Sequence, residues 1–218
     1  MSRSNADASS HLRDVPSAIP STLFVAGSPS ASSRSSAIAA HLRARLVHSG
    51  WRADTLSLRD LPAQALLHAD PTEPRIAAAL DRVDDAAALV IVTPVYKASF
   101  SGLLKTFVDL LPQHALAGKT VLPVATGGSL AHALVLDYAL RPVLAAAGAT
   151  HVLPGVFVAD AQLQGDPLSG LRIAPELESR FDASVDALVA SLVQASIRER
   201  GRRFVDADTE LARRACSG

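Results

Sequence analysis

The run ALVIVTP, residues 88–94, constrains the fold of this chain more than any other stretch. Almost every side chain in it is apolar, so a strand formed by these residues must be covered on both of its faces. Four other short segments are typical of strands by their apolar or alternating pattern: residues 22–27, 52–58, 119–128 and 150–158. The sequence therefore predicts a sheet with a fully buried central strand.

Longer amphipathic segments separate the predicted strands. In residues 33–50, Ile38, Leu42 and Leu46 form an apolar stripe at helical spacing. The other predicted helices cover residues 73–86, 101–112, 129–148 and 175–197. Alternation of strands and helices around a buried strand predicts a parallel sheet with helices on both faces. Ligands of such sheets bind at the carboxyl ends of the strands, so we expect the site after the first, third and fourth strands.

Charge and cysteine content exclude several classes of function. Lys plus Arg and Asp plus Glu both number 21, which gives no electrostatic case for binding nucleic acid or an anionic membrane. No apolar run approaches the roughly 20 residues of a membrane span. The single cysteine, Cys216, cannot form a disulfide within one chain, which fits a reducing cytosol and predicts a cytoplasmic protein.

The alternating segments all lie within residues 21–197, which we predict to be one domain around one core. Residues 1–20 are polar and lack the apolar centre of a secretion signal, so they are predicted to be a flexible N-terminal extension, with a partner-binding arm as the less favoured alternative. Residues 198–218 are dense in charge and are predicted to be a solvated tail or, alternatively, a swapped helical arm.

The loop AGSPSASSRSS, residues 26–36, follows the first predicted strand. It has neither the G-x-G-x-x-G pattern of a dinucleotide loop nor the G-K-[ST] of a nucleoside triphosphate loop. Its serine hydroxyls and Arg34 lie at a helix N-terminus, where backbone amides favour an anion, and together they suit a monophosphate. The alternative is that the serines only cap the helix.

Two further loops follow the third and fourth predicted strands. TPVYKASFSG, residues 93–102, puts Tyr96 at the ligand edge of the sheet, where a flat heterocycle could lie against its ring, although it could also be ordinary surface. TGGS, residues 126–129, offers bare backbone to a ligand, although it could be a plain turn. A phosphate cradle, an aromatic edge and a bare-backbone loop together describe a site for flavin mononucleotide (FMN). The seven histidines lack metal-ligand spacing and G-x-S-x-G is missing, so no catalytic residue and no metal are assigned.

The segments GSPSASSRSS, TPVYKASFSGLLKTFVDLLP and TGGSLAHALVLDYALRPVL, in this order, resemble the NADPH-dependent FMN reductases. The resemblance runs from about residue 22 to residue 194 and is strongest to the reductase of the two-component alkanesulfonate monooxygenase systems. It implies a flavodoxin-like α/β fold, with a five-stranded parallel sheet in the order 2-1-3-4-5 and helices on both faces. It also implies that hydride passes from NADPH to FMN, and that the reduced flavin serves a partner monooxygenase that cleaves sulfonates for sulfur.

The resemblance carries site residues over by position. The residues implied to hold the flavin phosphate are Ser28, Ser30, Ser33, Arg34, Ser35 and Ser36. Those implied to line the flavin ring are Pro94, Val95, Tyr96 and Lys97. Those implied to face the ring edge and neighbouring groups are Thr126, Gly127, Gly128 and Ser129. One departure is Ser30, where family members often have arginine, which removes a possible contact to phosphate or NADPH.

Tyr138 has the position of a tyrosine that the family inserts in a π-helical bulge, at the contact between the dimers of a homotetramer. Pro142 follows four residues later, and in an ordinary helix its ring would collide with the carbonyl of Tyr138. A bulge shifts the hydrogen-bond ladder and removes that collision. The alternative is a simple proline kink with a buried tyrosine.

Two other functions remain open from the residues. One is an enzyme that keeps FMN bound and reduces a quinone, an azo dye or a metal ion. The other is a flavodoxin-like electron carrier, which is disfavoured because carriers are usually acidic and clamp the ring between aromatic side chains. The residues also leave open NADPH against NADH, FMN as substrate against prosthetic group, and which monooxygenase and sulfonate are served.

Overall fold

The computed structural model describes the backbone of residues 20–215 and the side chains up to Arg198. The predicted N-terminal extension, apart from Pro20, and Cys216 lie outside the described residues. None of the helices within the described part is long and apolar enough to cross a membrane.

The centre of the molecule is a parallel sheet whose first strands, β1 (Ser21–Ala26) and β2 (Arg52–Ser57), pair directly. β1 also pairs with β3 (Ala88–Tyr96), and β3 pairs with the next parallel strand, β5 (Thr120–Gly127). The last position is shared by β6 (His151–Val152) and β7 (Val156–Ala159), which both pair with β5. The predicted α/β class is confirmed, and the order 2-1-3-4-5 holds with β5 as the fourth strand and β6 with β7 as the fifth.

The fifth strand is divided, whereas the sequence predicted one strand over residues 150–158. The break contains Pro154, which has no amide to donate to a neighbouring strand. It also contains Gly155, where an added Cβ would lie 3.0 Å from a methyl carbon of Leu136. The backbone therefore leaves the sheet here so that a neighbouring side chain can pack against it.

Helices cover both faces of the sheet. The helices are α1 (Arg34–His48), α2 (Ala63–Leu67), α3 (Pro74–Asp85), α4 (Gly102–Val108), α5 (Arg141–Ala146) and α6 (Pro175–Ala215). Side chains of Ser33, Glu73 and Ser101 accept hydrogen bonds from amides three residues on, which explains where α1, α3 and α4 begin. α6 continues to Ala215, past the end at residue 197 that the apolar pattern predicted.

Two apolar cores lie on opposite faces of the sheet. Alternate residues of β3 divide between them: Leu89 and Ile91 join one core, and Val90 and Val92 join the other. The first core contains Phe107 of α4, and the second contains Phe181 of α6. The apolar run that most constrained the fold is therefore covered on both faces.

Two hairpins were not predicted from the sequence. β4 (Ser99–Phe100) pairs with the end of β3 through the two-residue turn Lys97–Ala98, where φ is 50° and 60°. β8 (Leu163–Asp166) pairs with β9 (Gly170–Ile173). Two consecutive positive φ angles indicate a type I′ turn, which usually carries Asn-Gly, so a Lys-Ala turn gives no signal in the sequence.

Candidate functional site

The carboxyl ends of β1, β3 and β5 bring the three predicted loops to one edge of the sheet. The amide of Gly27, which opens the first loop, donates to the carbonyl of Val92 at 2.8 Å. Pro94 in the second loop is in register with Thr126 in the third. Gly127 is in turn paired with Ala159, the last residue of β7. The structure thus gathers all three loops and the end of a fourth strand.

The first loop, residues 27–33, is held by its own serines. The buried Ser28 hydroxyl accepts a hydrogen bond from the amide of Ser30 at 3.2 Å. Ser33 caps α1, because its Oγ accepts from the amide of Ser36 at 3.0 Å and also donates to the Ser36 hydroxyl at 2.8 Å. Ser35 is buried beside them, and its Oγ lies 3.1 Å from Oγ of Ser33. Ser33 therefore caps the helix, and the amides of Arg34 and Ser35 begin its first turn, where the helix itself supplies no acceptor.

Arg34, the first residue of α1, forms an ion pair that the sequence did not reveal. Its Nη1 lies 2.8 Å from Oδ2 of Asp160, the residue that follows β7. Both side chains are partly exposed, at 43% for Arg34 and 38% for Asp160. An added Cβ on Gly128 would lie 3.9 Å from the same carboxylate oxygen. Asp160 therefore stands between the arginine of the first loop and the bare backbone of the third.

The second loop is fixed to the first by two buried hydroxyls. The Thr93 hydroxyl accepts from the amide of Ser101 at 3.0 Å. The Ser101 hydroxyl donates to the carbonyl of Gly27 at 2.5 Å and accepts from the amide of Leu104 at 3.1 Å. Both residues lie within the predicted loop, although neither was singled out from the sequence as a site residue. Together they set the spacing between the two loops.

The predicted ring-lining residues differ widely in exposure. Pro94 is buried and Val95 is half-buried, so these residues lie beneath the exposed part of the second loop. Tyr96 is 49% exposed, and Lys97 is exposed in the type I′ turn. Positive φ at two residues other than glycine is strained, and such strain concentrates at functional sites.

The third loop passes from buried to exposed along its length. Thr126 is buried, and an added Cβ on Gly127 would lie 3.1 Å from the ring of Phe157. Gly128 and Ser129 are exposed, and the Ser129 hydroxyl accepts from the amide of Ala131 at 3.3 Å. A side chain at Gly127 would crowd Phe157, whereas Gly128 has open space that a ligand could approach.

The helix predicted after the third loop consists of three different segments. A 3₁₀ turn (Leu130–His132) leads into a π-helical segment (Leu136–Leu140), and α5 follows. The amide of Arg141 donates to the carbonyl of Leu136, five residues back, and Pro142 falls in the first turn of α5, where proline is tolerated. Tyr138 is the central residue of the π-helical segment and is 79% exposed.

Three large apolar side chains form an exposed stripe beside the site: Leu130, Leu134 and Tyr138, at 67%, 62% and 79% exposure. Leu134 and Tyr138 are one helical turn apart, because the amide of Tyr138 donates to the carbonyl of Leu134 at 2.9 Å. A contiguous exposed apolar patch commonly marks an interaction surface. We refer to these three residues below as the tyrosine stripe.

The residues at this edge fit FMN. First-turn amides, hydroxyls and one guanidinium suit a phosphate. An added Cβ on Gly127 would lie 3.5 Å from Cβ of Val95, so the backbone of the third loop lies next to the second loop. Tyr96 and Lys97 in the second loop are exposed, as are Gly128 and Ser129 in the third. The candidate site is therefore an edge of the sheet that is open to solvent. Two cavities lie away from it: a groove of about 560 Å³ between α1 and α6, and a cleft of about 170 Å³ at the opposite end of the sheet. Among the side chains that the structure describes, residues 20–198, no cluster of His, Cys, Asp or Glu could hold a metal ion.

The sequence matches the family described as NADPH-dependent FMN reductase over residues 20–164. It is 43% identical to the FMN reductase (NADPH) of Pseudomonas putida KT2440, over 78% of this chain and 87% of that protein. It is 38% identical to the FMN reductase (NADPH) of Escherichia coli K12, over 81% of this chain and 92% of that protein. Among solved structures, the apo form of the NADH:FMN oxidoreductase EMOB aligns with a TM-score of 0.72 at 38% identity, over 79% of this chain and 89% of that one. The chain is an oxidoreductase that works with FMN and a reduced nicotinamide cofactor, and it belongs to the NADPH-dependent FMN reductase family.

Proposed function

We propose that this chain reduces FMN as an exchangeable substrate and supplies the reduced flavin to a partner flavin-dependent monooxygenase, in alkanesulfonate desulfonation and sulfur acquisition. The observation that carries the proposal is the open edge formed by the three loops. A flavin held there can leave, whereas a tightly bound prosthetic group is usually enclosed by its protein. The assignment to sulfonates rests on the resemblance of the three loop segments.

The residues of the three loops divide the work of binding. Arg34, the serines of residues 28–36 and the first amides of α1 hold the phosphate. Tyr96 and Val95 lie along the ring, while Pro94 and Lys97 complete that side. Thr126, Gly127, Gly128 and Ser129 offer backbone and hydroxyl groups to the ring edge. FMN supplies the hydride chemistry, so the protein needs no acid or base and acts by positioning.

The tyrosine stripe supports a homotetramer. Large exposed apolar side chains are stabilised when a second copy covers them, and a symmetric contact brings identical patches together. The single cysteine supports action in a reducing, cytoplasmic setting.

Steady-state kinetics with purified protein and varied free FMN test the proposal. We expect NADPH or NADH oxidation to depend on added FMN and to saturate with it. Protein that is yellow as purified and reduces quinones or azo dyes without added flavin would instead indicate a prosthetic group. Protein that oxidises no nicotinamide cofactor with FMN present would indicate an electron carrier.

The partner is tested by a coupled assay. With a sulfonate-cleaving, flavin-dependent monooxygenase present, sulfite release from an alkanesulfonate should require this chain, FMN and the nicotinamide cofactor. Sulfite release at the same rate from chemically reduced FMN alone would show that the reductase contributes only reduced flavin. No sulfite from any tested alkanesulfonate, with FMN reduction intact, would contradict the sulfonate assignment and leave the reductase activity in place.

A further inference from the structure

Asp160 places a carboxylate against the guanidinium assigned to the flavin phosphate. The 2.8 Å ion pair joins the end of β7 to the start of α1, and Gly128 borders it from the third loop. A phosphate that meets Arg34 therefore arrives where a negative charge is already present.

The position of Asp160 does not depend on Arg34. It follows β7 directly and begins a short 3₁₀ turn (Asp160–Gln162). That turn is fixed because the amide of Ala159 donates to the side-chain oxygen of Gln162 at 3.0 Å. A change of Asp160 to asparagine should therefore remove the charge and leave the backbone in place.

Asp160 can affect phosphate binding in two opposite ways, and the larger effect determines whether it strengthens or weakens the binding. The ion pair could hold Arg34 in a productive orientation, but pairs as exposed as this one constrain a side chain only weakly. The carboxylate also competes for the guanidinium and repels a phosphate monoester, which carries a charge of about −1.5 to −2. Repulsion of a near-dianion acts on the ligand directly, so competition outweighs orientation.

We infer that Asp160 is a positioning residue that competes with the flavin phosphate for Arg34 and thereby keeps FMN exchangeable. This rests on the proposed function, in which the first loop holds the phosphate. Because Asp160 acts through Arg34, it should change the affinity for the phosphate and not the affinity for the flavin ring. Asp160 would therefore also reduce the preference for FMN over riboflavin, which lacks the phosphate.

The test compares Asp160→Asn with the unchanged protein in titrations of FMN and of riboflavin. We expect the Kd for FMN to fall about 3- to 10-fold and the dissociation rate to fall with it, while the Kd for riboflavin changes less than about 2-fold. Asp186→Asn, an exposed aspartate on α6, gives the same change in net charge away from the site and should leave both values unchanged. Asp160→Ser serves if the asparagine variant does not fold.

Arg34→Ala in the same titrations distinguishes a failure of the phosphate assignment from a failure of the role given to Asp160. Suppose that Arg34→Ala weakens the binding of FMN and leaves the binding of riboflavin unchanged. If Asp160→Asn then leaves FMN binding unchanged or weakens it, Asp160 does not compete with the phosphate, and the phosphate assignment stands. If Arg34→Ala leaves FMN binding unchanged, the phosphate assignment fails and the role of Asp160 fails with it. The inference would also be overturned if Asp160→Asn lowered the Kd for riboflavin as much as the Kd for FMN, because the effect would then not act on the phosphate.

Discussion

Arg34, the first residue of α1, is the arginine that the proposed function assigns to the flavin phosphate. We expect Arg34→Ala to weaken FMN binding by about 1.5–3 kcal/mol, the range of a charge-assisted hydrogen bond, with partial exposure favouring the lower end. Fluorescence titration of FMN measures it. Arg52→Ala, the same substitution at the opposite end of the sheet, is the matched control and should not change the affinity.

Lys119 gives the stability of this protein a dependence on alkaline pH. Burial lowers the pKa of its amine below the usual 10.5, against the opposing charges of Asp84 and Asp85, while its Nζ donates to the carbonyl of Ala86 at 2.9 Å. The unfolded chain therefore binds the proton more tightly than the folded one. The free energy of unfolding should rise with pH between the folded pKa and 10.5, and the penalty for burying the charge is largest below that window.

Urea unfolding at several alkaline pH values measures this dependence, with Lys119→Met as the comparison because methionine keeps most of the volume. The variant should have a smaller increase in unfolding free energy across the window. Equal slopes for both proteins would mean that burial of this amine does not contribute to the pH dependence.

Sequence reasoning found the loop residues of the site but missed Thr93, Ser101 and Asp160. Ser101 bonds to Gly27, which is far away along the chain, and Asp160 reaches Arg34 from a different strand. Residue type and local spacing carry no record of such partners. They become visible only when the sheet fixes which strand ends are neighbours.

At the scale of elements, the type I′ turn between β3 and β4 is strained by its side chains. Lys97 and Ala98 have φ of 50° and 60°, a region where a Cβ is unfavourable. Ala98→Gly should raise the free energy of unfolding by about 0.5–1 kcal/mol, because the relief of strain exceeds the entropy that glycine adds to the unfolded chain. Chemical denaturation measures the change.

The control for this turn is the same substitution in a right-handed helix. Ala78 is exposed in α3, and Ala78→Gly should lower the free energy of unfolding by about 1 kcal/mol. A loss of stability in both variants would show that the turn is not strained by its side chains.

The π-helical segment is the second element with an identifiable cost. A bulge sacrifices regular helix hydrogen bonding, so it persists only where its surroundings determine it. Deleting Tyr138 should restore an ordinary helix, remove the largest side chain of the tyrosine stripe and weaken the proposed tetramer. We also expect flavin to stay bound through purification and transfer of reduced flavin to the proposed partner monooxygenase to fall.

Analytical ultracentrifugation, the flavin absorbance of purified protein and the coupled sulfite assay measure these three effects. Tyr138→Phe is the matched variant, because it keeps chain length and ring while removing only the hydroxyl, and it should retain the tetramer. A deletion variant that stays tetrameric, colourless and competent in transfer would contradict the proposed role of the segment.

Helices with a regular apolar stripe could be predicted from the sequence, whereas elements that consist of short paired strands could not. The stripe of Ile38, Leu42 and Leu46 indicated α1 within a few residues of its ends. The division of the fifth strand and the hairpin of β8 and β9 depend on Pro154, Gly155 and two glycines with positive φ, Gly165 and Gly170. Such features depend on local backbone geometry that an apolar pattern does not encode.

At the scale of the whole molecule, the sheet links two cores into one body. β3 contributes alternate side chains to both faces, so neither core can be lost without exposing the other side of the same strand. The sequence predicted that β3 is covered on both faces, because a strand whose residues do not alternate with polar ones cannot expose either face to water. The candidate site lies at the carboxyl ends of β1, β3 and β5. The residues of the cores, which stabilise the fold, are therefore different from the loop residues proposed to bind the flavin.

That arrangement predicts a single cooperative unfolding transition that either core can shift. Phe107 and Phe181 are fully buried on opposite faces, and changing either to alanine should cost about 3–5 kcal/mol, a large fraction of the roughly 5–15 kcal/mol that stabilises a domain. Because β3 is shared, both variants should unfold in one transition, with coincident midpoints by circular dichroism and by Trp51 fluorescence. At low temperature, where the Phe181→Ala protein is still folded, its FMN affinity should equal that of the unchanged protein, since Phe181 is buried in the second core and belongs to none of the three loops. Two separated transitions in either variant would show that the two faces unfold independently, and the sheet would then not act as the shared wall between them.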